Sequence, residues 1–139
     1  MIAEHRTYTI NEGMMDSYLA LYNKQIDPNH RKHGIQVLGA WVDREKNQVV
    51  WMRVFESRAE RKRQLDIYEV SPERDAVFPI AAYHMKHHEV KILDDAFQPS
   101  PEPDDSVLHN DVAQRAIEKM KAGDAKTFAD FKASTAAPR

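Results

Sequence analysis

Between Gly34 and Ser57 the chain reads GIQVLGAWVDREKNQVVWMRVFES, and its apolar residues occupy both alternating sets of positions. From Val49 onward, Val49, Trp51 and Phe55 form one set, interrupted by Arg53, while Val50, Met52 and Val54 form the other. Strands that are apolar on both sides belong to sheets covered on both faces. One face packs on the chain's own helices. The other needs a second cover, and a domain this short leaves a second copy of the chain as its source. The pattern therefore predicts a β-hairpin turning at Arg44 to Asn47, and a homodimer formed through sheet faces.

The flanking segments complete the architecture. MIAEHRTYTI alternates as a first strand, and Asn11-Glu12-Gly13 turns into a helix over about residues 14–33, with Leu19, Leu21, Tyr22 and Ile26 among its apolar positions. Gly34 suits the helix stop, where a left-handed residue is commonly required. A second helical region begins near Ser57 and carries Leu65, Ile67 and Tyr68. Ser71-Pro72 then caps a further one with Val77, Phe78 and Ile80. The last strand falls at about residues 86–93. The resulting order, βαββαβ, is an α+β ferredoxin-like arrangement: a four-stranded antiparallel sheet with both helices on one face. The charge-dense run ESRAERKRQLD reads as the solvated face of a helix with internal ion pairs.

After Phe97 the composition changes. QPSPEPDDS alternates three prolines with polar residues, which favours an extended linker. The chain thus divides into a domain over residues 1–97, a linker over 98–105 and a helical C-terminal arm over 106–139. In the arm, Ser106 is the candidate N-cap of an expected helix whose Leu108, Val112, Ala113, Ala116, Ile117 and Met120 would form an apolar stripe ending at Gly123. Asp124 is the candidate cap of a shorter expected helix bearing Phe128 and Phe131. A lone helix of this size is marginal in water, so the stripe is expected to dock on its own barrel or on the partner's. The alternative is a disordered tail.

Composition narrows the functional classes. With 139 residues, 42% apolar and 30% charged, the chain fits one soluble domain with an appendage. A net charge of -2 with interspersed signs provides no basic stripe, so no nucleic-acid partner is expected. Without cysteine there is no disulfide or thiol chemistry. A first strand starting at Ile2 leaves no room for a signal peptide, which makes a cytoplasmic location the expectation. No apolar run approaches the ~20 residues of a membrane span. The serines lie in capping or turn contexts without a Gly-x-Ser-x-Gly elbow, and the four glycines form no phosphate-binding fingerprint.

The residues that carry chemistry are histidines and arginines. His84, His87 and His88 crowd the start of the last strand, and His30 and His33 lie near the end of the first helix. His30 and His33 are one helical turn apart, and His84 and His88 share strand parity if that strand begins early enough. No metal-ligand motif such as H-E-x-x-H is present, and neither a metal nor a cofactor is expected. Because first and last strands are neighbours in a ferredoxin-like sheet, His5 with His84 or His88 is the candidate general base. Arg53 is the candidate stabiliser of the resulting anion. The competing reading pairs Arg6 and Arg53 with Glu4 or Glu56, as buried charges require. Tyr8, Trp41, Trp51 and Phe55 are candidate ligand-binding aromatics, or core and interface aromatics.

Three segments carry a family likeness: MIAEHRTYTINEGMMDSYLALY, NQVVWMRVFES and RAERKRQLDIY. The E-x-R-x-Y pattern of Glu4, Arg6 and Tyr8, followed by the W-x-R-x-F pattern of Trp51, Arg53 and Phe55, resembles the NIPSNAP family over about residues 1–97. IYEVSPERD departs from that pattern, with Arg74 near the place of an aromatic residue, and the arm lies outside the resemblance. The resemblance implies the dimeric α/β-barrel fold, which hosts cofactor-free monooxygenases, isomerases, cyclases and haem-degrading enzymes alongside members of no established reaction. Fold alone does not select among them. Three functions follow as expectations: a dimer binding a small organic ligand between sheet and helices; a cofactor-independent monooxygenase- or isomerase-like enzyme acting there on an aromatic or polyketide-like substrate; or a structural or protein-interaction module using the arm.

Overall fold

The alternation along the first ten residues becomes a strand, Ile2–Ile10, whose every second side chain is buried. The computed structural model describes residues 1–97 together with Arg115, Ile117 and Glu118. Its elements are β1 (Ile2–Ile10), α1 (Met15–Leu21), a π-helical turn (Tyr22–Ile26), α2 (Asp27–Lys32), β2 (Gln36–Asp43), β3 (Gln48–Phe55), α3 (Arg58–Tyr68), α4 (Pro72–His84) and β4 (Met85–Asp94). The sheet order is β2-β3-β1-β4 with every pairing antiparallel, which is the ferredoxin-like fold.

The first helical region is continuous but not uniform. Pro28, at the start of α2, has no N–H to donate into the turn before it. That turn is wound more widely: the Asp27 N–H bonds to Tyr22 O, five residues back. Gly34, at φ +71°, then reverses the chain into β2. The β2–β3 turn closes on Asn47, at φ 54°, whose side-chain amide donates to Ile10 O at 2.7 Å and ties the hairpin to β1.

Alternation sorts the strand residues onto two faces. Ile2, Glu4, Arg6, Tyr8 and Ile10 of β1 are buried, as are Val49, Trp51, Arg53 and Phe55 of β3 and His88, Val90 and Ile92 of β4. The register makes these one surface, with Glu4 opposite Arg53 and Ile92, Arg6 opposite Trp51 and Val90, and Tyr8 opposite Val49 and His88. The opposite face carries His5, Thr7, Val50, Met52 and Lys91 in register. A bulge between Val37 and Gly39 in β2 leaves Trp41 opposite Val50, with its ring folded over Gly39 and 57% exposed. Leu38 and Leu93 are also exposed.

The covered face holds two apolar clusters with charge between them. Ile2, Ile35, Phe55, Leu65, Tyr68 and Ile92 form one. Tyr8, Ile10, Tyr18, Tyr22, Ile26, Val49 and Trp51 belong to the other, which extends into Val77 and Ala81 of α4. Glu4 and Arg53 lie between them on the sheet.

Two sequence expectations need correction. The run ESRAERKRQLD is not simply a solvated face: Arg58 and Arg61 are buried with Leu65 and Tyr68, because positions 58, 61, 65 and 68 recur at helical spacing and form the inward stripe of α3. The exposed pairs Glu60–Arg63 and Lys62–Asp66 account for the outer face. Likewise His84 ends α4 instead of sharing a strand with His88, since helical hydrogen bonding persists to that residue. The linker over 98–105 and the arm stripe at Leu108, Val112 and Met120 lie outside the described residues. Ile117 does not: it is helical, 4% exposed, and part of the larger core cluster. Among the described residues no helix is long and apolar enough to cross a membrane.

Candidate functional site

Glu4 is 0% exposed, and a carboxylate so placed must find cations. It accepts from Arg53 Nε at 3.1 Å, from Arg61 Nε at 2.8 Å and from Arg6 Nη1, with Arg53 Nη2 3.0 Å from Oε1. The geometry follows from the register: Arg53 faces Glu4 directly across the β1–β3 ladder, Arg6 follows two residues along β1, and Arg61 descends from α3. Burial works against the charge of Arg6, but Tyr8 and Glu4 together outweigh it and raise its pKa. Arg6 Nε also donates to Tyr8 Oη at 2.8 Å.

His30 is joined to this cluster as a neutral ring. Its Nδ1 lies 2.7 Å from Ile26 O, and a carbonyl can only accept, so Nδ1 carries the proton. Nε2 is then the acceptor for Arg53 Nη1 at 3.0 Å. Burial first, and the Arg53 charge second, pull the His30 pKa from 6.5 to about 3. Arg53 is thereby committed to two partners. His84 ties two helices together: Nδ1 donates to Ile80 O at 2.7 Å and Nε2 lies 2.8 Å from the Ser17 hydroxyl, joining α1 to α4.

Beside the charges lies a closed set of aromatic rings. Centroids are 6.1 Å apart for Tyr8–Tyr18, 6.5 Å for Tyr18–Tyr22, 5.6 Å for Tyr22–Trp51 and 6.0 Å for Trp51–Tyr8. Most of these contacts are edge-to-face, as ring quadrupoles prefer. Arg6 Cζ sits 5.2 Å from the Trp51 ring and 5.6 Å from the Tyr8 ring. Three polar groups in this set are buried without a hydrogen-bond partner among the described residues: Tyr18 Oη, Tyr22 Oη and Trp51 Nε1. Burial pushes the pKa of both phenols up, so each holds its proton as a donor.

The sequence candidates separate by face. Tyr8, Trp51 and His88 come together, with the Tyr8 and His88 rings 6.1 Å apart. Arg53 adjoins them but is held on Glu4 and His30, which matches the ion-pair reading of Arg6 and Arg53 through Glu4. His84 reaches the rim, its ring 6.0 Å from that of Tyr18. Phe55 belongs to the other apolar cluster. His5 and Trp41 are on the opposite face of the sheet, so they share no site with Arg53, Tyr8 or His88, because one residue of register reverses a side chain's direction. Arg74, in the segment that departs from the family pattern, stacks 3.6 Å above the Phe78 ring, and burial lowers its pKa to about 10.

Tyr18, Tyr22 and Arg61 are not legible as site residues in the sequence, and His30 stands out there only as a metal candidate. The i, i+4 spacing of Tyr18 and Tyr22 is a signal for the first two: it places both rings on one helix face. Among the described residues no three His, Asp or Glu side chains gather as a metal site.

Comparison with known proteins bears on the fold and the family. No curated protein matches the chain. Among solved structures, an uncharacterized NIPSNAP domain protein from Burkholderia xenovorans is 24% identical, with a TM-score of 0.64, covering 72% of this chain and 100% of that one. A NIPSNAP family protein from Agrobacterium tumefaciens is 25% identical, with a TM-score of 0.62, covering 73% and 98%. An antibiotic biosynthesis monooxygenase shares the fold at 20% identity and a TM-score of 0.54, covering 69% and 99%. The NIPSNAP family model itself matches residues 3–97, a span that contains both the E-x-R-x-Y and the W-x-R-x-F strands and every charged partner of Glu4 described above, and the chain therefore belongs to the NIPSNAP family.

Proposed function

We propose that the protein is a homodimer that binds a small organic molecule on the helix-covered face of its sheet, beside Tyr8, Tyr18, Tyr22 and Trp51. The observation that carries the reading is the set of three buried donors, on Tyr18, Tyr22 and Trp51 within one ring cluster, that have no partner among the described residues. Native interiors satisfy such groups almost without exception, since each one left unsatisfied costs about 1–3 kcal/mol. Apolar and aromatic walls with a few convergent polar groups are the usual composition of a ligand site. The π-helical turn begins at Tyr22, and such turns recur at functional sites.

The dimer rests on the other face. Trp41, Leu38 and Leu93 are exposed there around half-buried Val50 and Met52, an apolar surface that a second copy of the same face would cover. Light scattering on the full chain in dilute native buffer tests the dimer, and a stable monomer refutes it. Titration of small organic compounds, followed by Trp51 fluorescence in a Trp41→Phe background, tests the site.

The enzymatic reading has less support. Arg53 as an anion stabiliser is already bound to Glu4 and His30, and both ring nitrogens of His84 are engaged. The monooxygenase relative contributes a fold, not a reaction. The interaction reading rests on an arm that lies almost wholly outside the described residues.

A further inference from the structure

We infer that the ligand is an organic anion, a carboxylate on a planar aromatic body, gripped by the hydroxyls of Tyr18 and Tyr22 and the indole N–H of Trp51 next to the Arg6 guanidinium. This rests on the binding reading above and adds the chemical class. The unpartnered groups point to it by their kind. The indole N–H is donor only, and a buried phenol donates readily to an oxyanion. Tyr8 Oη already accepts from Arg6 Nε, which leaves its own proton for donation as well. A ligand that offers acceptors is therefore matched here. One that offers N–H or O–H groups meets a wall of donors.

Charge selects in the same direction. Arg6 and Arg53 are both buried, at 8% and 6% exposure, and share the single carboxylate of Glu4. Arg6 lies against two of the four rings, Tyr8 and Trp51, so the positive charge borders the aromatic set itself. Opposite charge brought into a low-dielectric interior gains far more than it would in water. The walls beside these donors are rings that meet mostly edge to face, and a flat aromatic ligand prefers the same kind of contact.

The experiment is calorimetric titration of the full chain with benzoate and 1-naphthoate, against benzamide and 1-naphthamide, which keep the shape and lose the charge. Carboxylates are expected to bind at least tenfold more tightly than their amides. Tyr18→Phe and Tyr22→Phe are then compared with the parent. Each is expected to fold with an unchanged or raised Tm, because it deletes a buried hydroxyl that has no acceptor among the described residues, and to weaken carboxylate binding about tenfold or more. A merely structural role for these tyrosines would not separate the two readouts. Amides binding as tightly as carboxylates would overturn the anion inference and leave the binding site standing. Unchanged carboxylate affinity in both phenylalanine variants would place the ligand elsewhere and refute the inference. Absence of binding by either series would remove this inference and the binding reading together.

Discussion

Replacing Glu4 by Gln tests the central claim about how this interior is held. Glu4 is 0% exposed and meets Arg6, Arg53 and Arg61, with 2.8 Å to Arg61 Nε and 3.1 Å to Arg53 Nε. The amide keeps the volume and one acceptor oxygen but loses the charge, and its NH2 group opposes guanidinium donors. Losing one partner of a buried ion pair costs about 3–5 kcal/mol, chiefly because the remaining charge stays buried and uncompensated. That is a large share of the roughly 5–15 kcal/mol a domain commands. At about 4 °C or more per kcal/mol for a domain of this size, Tm should fall by at least ~10 °C. Urea unfolding followed by far-UV circular dichroism should show a lower midpoint with an unchanged slope. Arg53→Met supplies the second half of a cycle. It should cost much less in the Glu4→Gln background than in the parent, since it then relieves an unpaired charge instead of creating one. A Glu4→Gln protein within about 1 kcal/mol of the parent, or an Arg53→Met cost that is the same in both backgrounds, would refute the account.

Three further outcomes are expected. His30 has its pKa lowered to about 3 in the folded protein, so between pH 6.5 and 3 the unfolded chain binds the extra proton and stability falls as pH falls, by up to about 1.4 kcal/mol per unit. Urea unfolding of the parent and of His30→Gln from pH 7 to 4.5 should show the shallower decline in the variant; parallel declines would contradict the assignment. Met52→Asp puts a charge in the middle of the open sheet face and should turn the proposed dimer into monomer by light scattering, while a dimer of undiminished stability would place the interface elsewhere. Ile117→Ala should lower the unfolding free energy by about 2–5 kcal/mol, the cost of a cavity in the core cluster it joins, and an unchanged urea midpoint would show that the residue is not packed there.

Much of the fold was readable because local physics dictates it. Period-two alternation marked Ile2–Ile10 and a run apolar on both sides marked Gln48–Phe55 as strands; Ser57 and Ser71 accept backbone N–H bonds at helix starts, and Gly34 at φ +71° ends the first helical region. The E-x-R-x-Y and W-x-R-x-F spacings placed Glu4, Arg6 and Tyr8 on one face of their strand, and Trp51, Arg53 and Phe55 on one face of theirs. Alternation states which residues share a face, but not which face turns inward.

That choice belongs to the assembled structure. The inward turn of Glu4 and Arg6, two charged residues, makes sense only once the register sets Arg53 opposite Glu4 and α3 brings Arg61 down from a segment whose charges read as solvated. The same register sends His5 and Trp41 to the far side and leaves His88 beside Tyr8. His30 shows the limit most plainly. As sequence it is a histidine with an ordinary pKa near the end of a helix. Only the convergence of Ile26 O, Arg53 and the Trp51 ring, 5.2 Å away, removes its water and makes it neutral. Periodicity acts over a few residues and is written in the chain, whereas desolvation and charge pairing act between residues tens of positions apart, and exist only after the strands have chosen their partners.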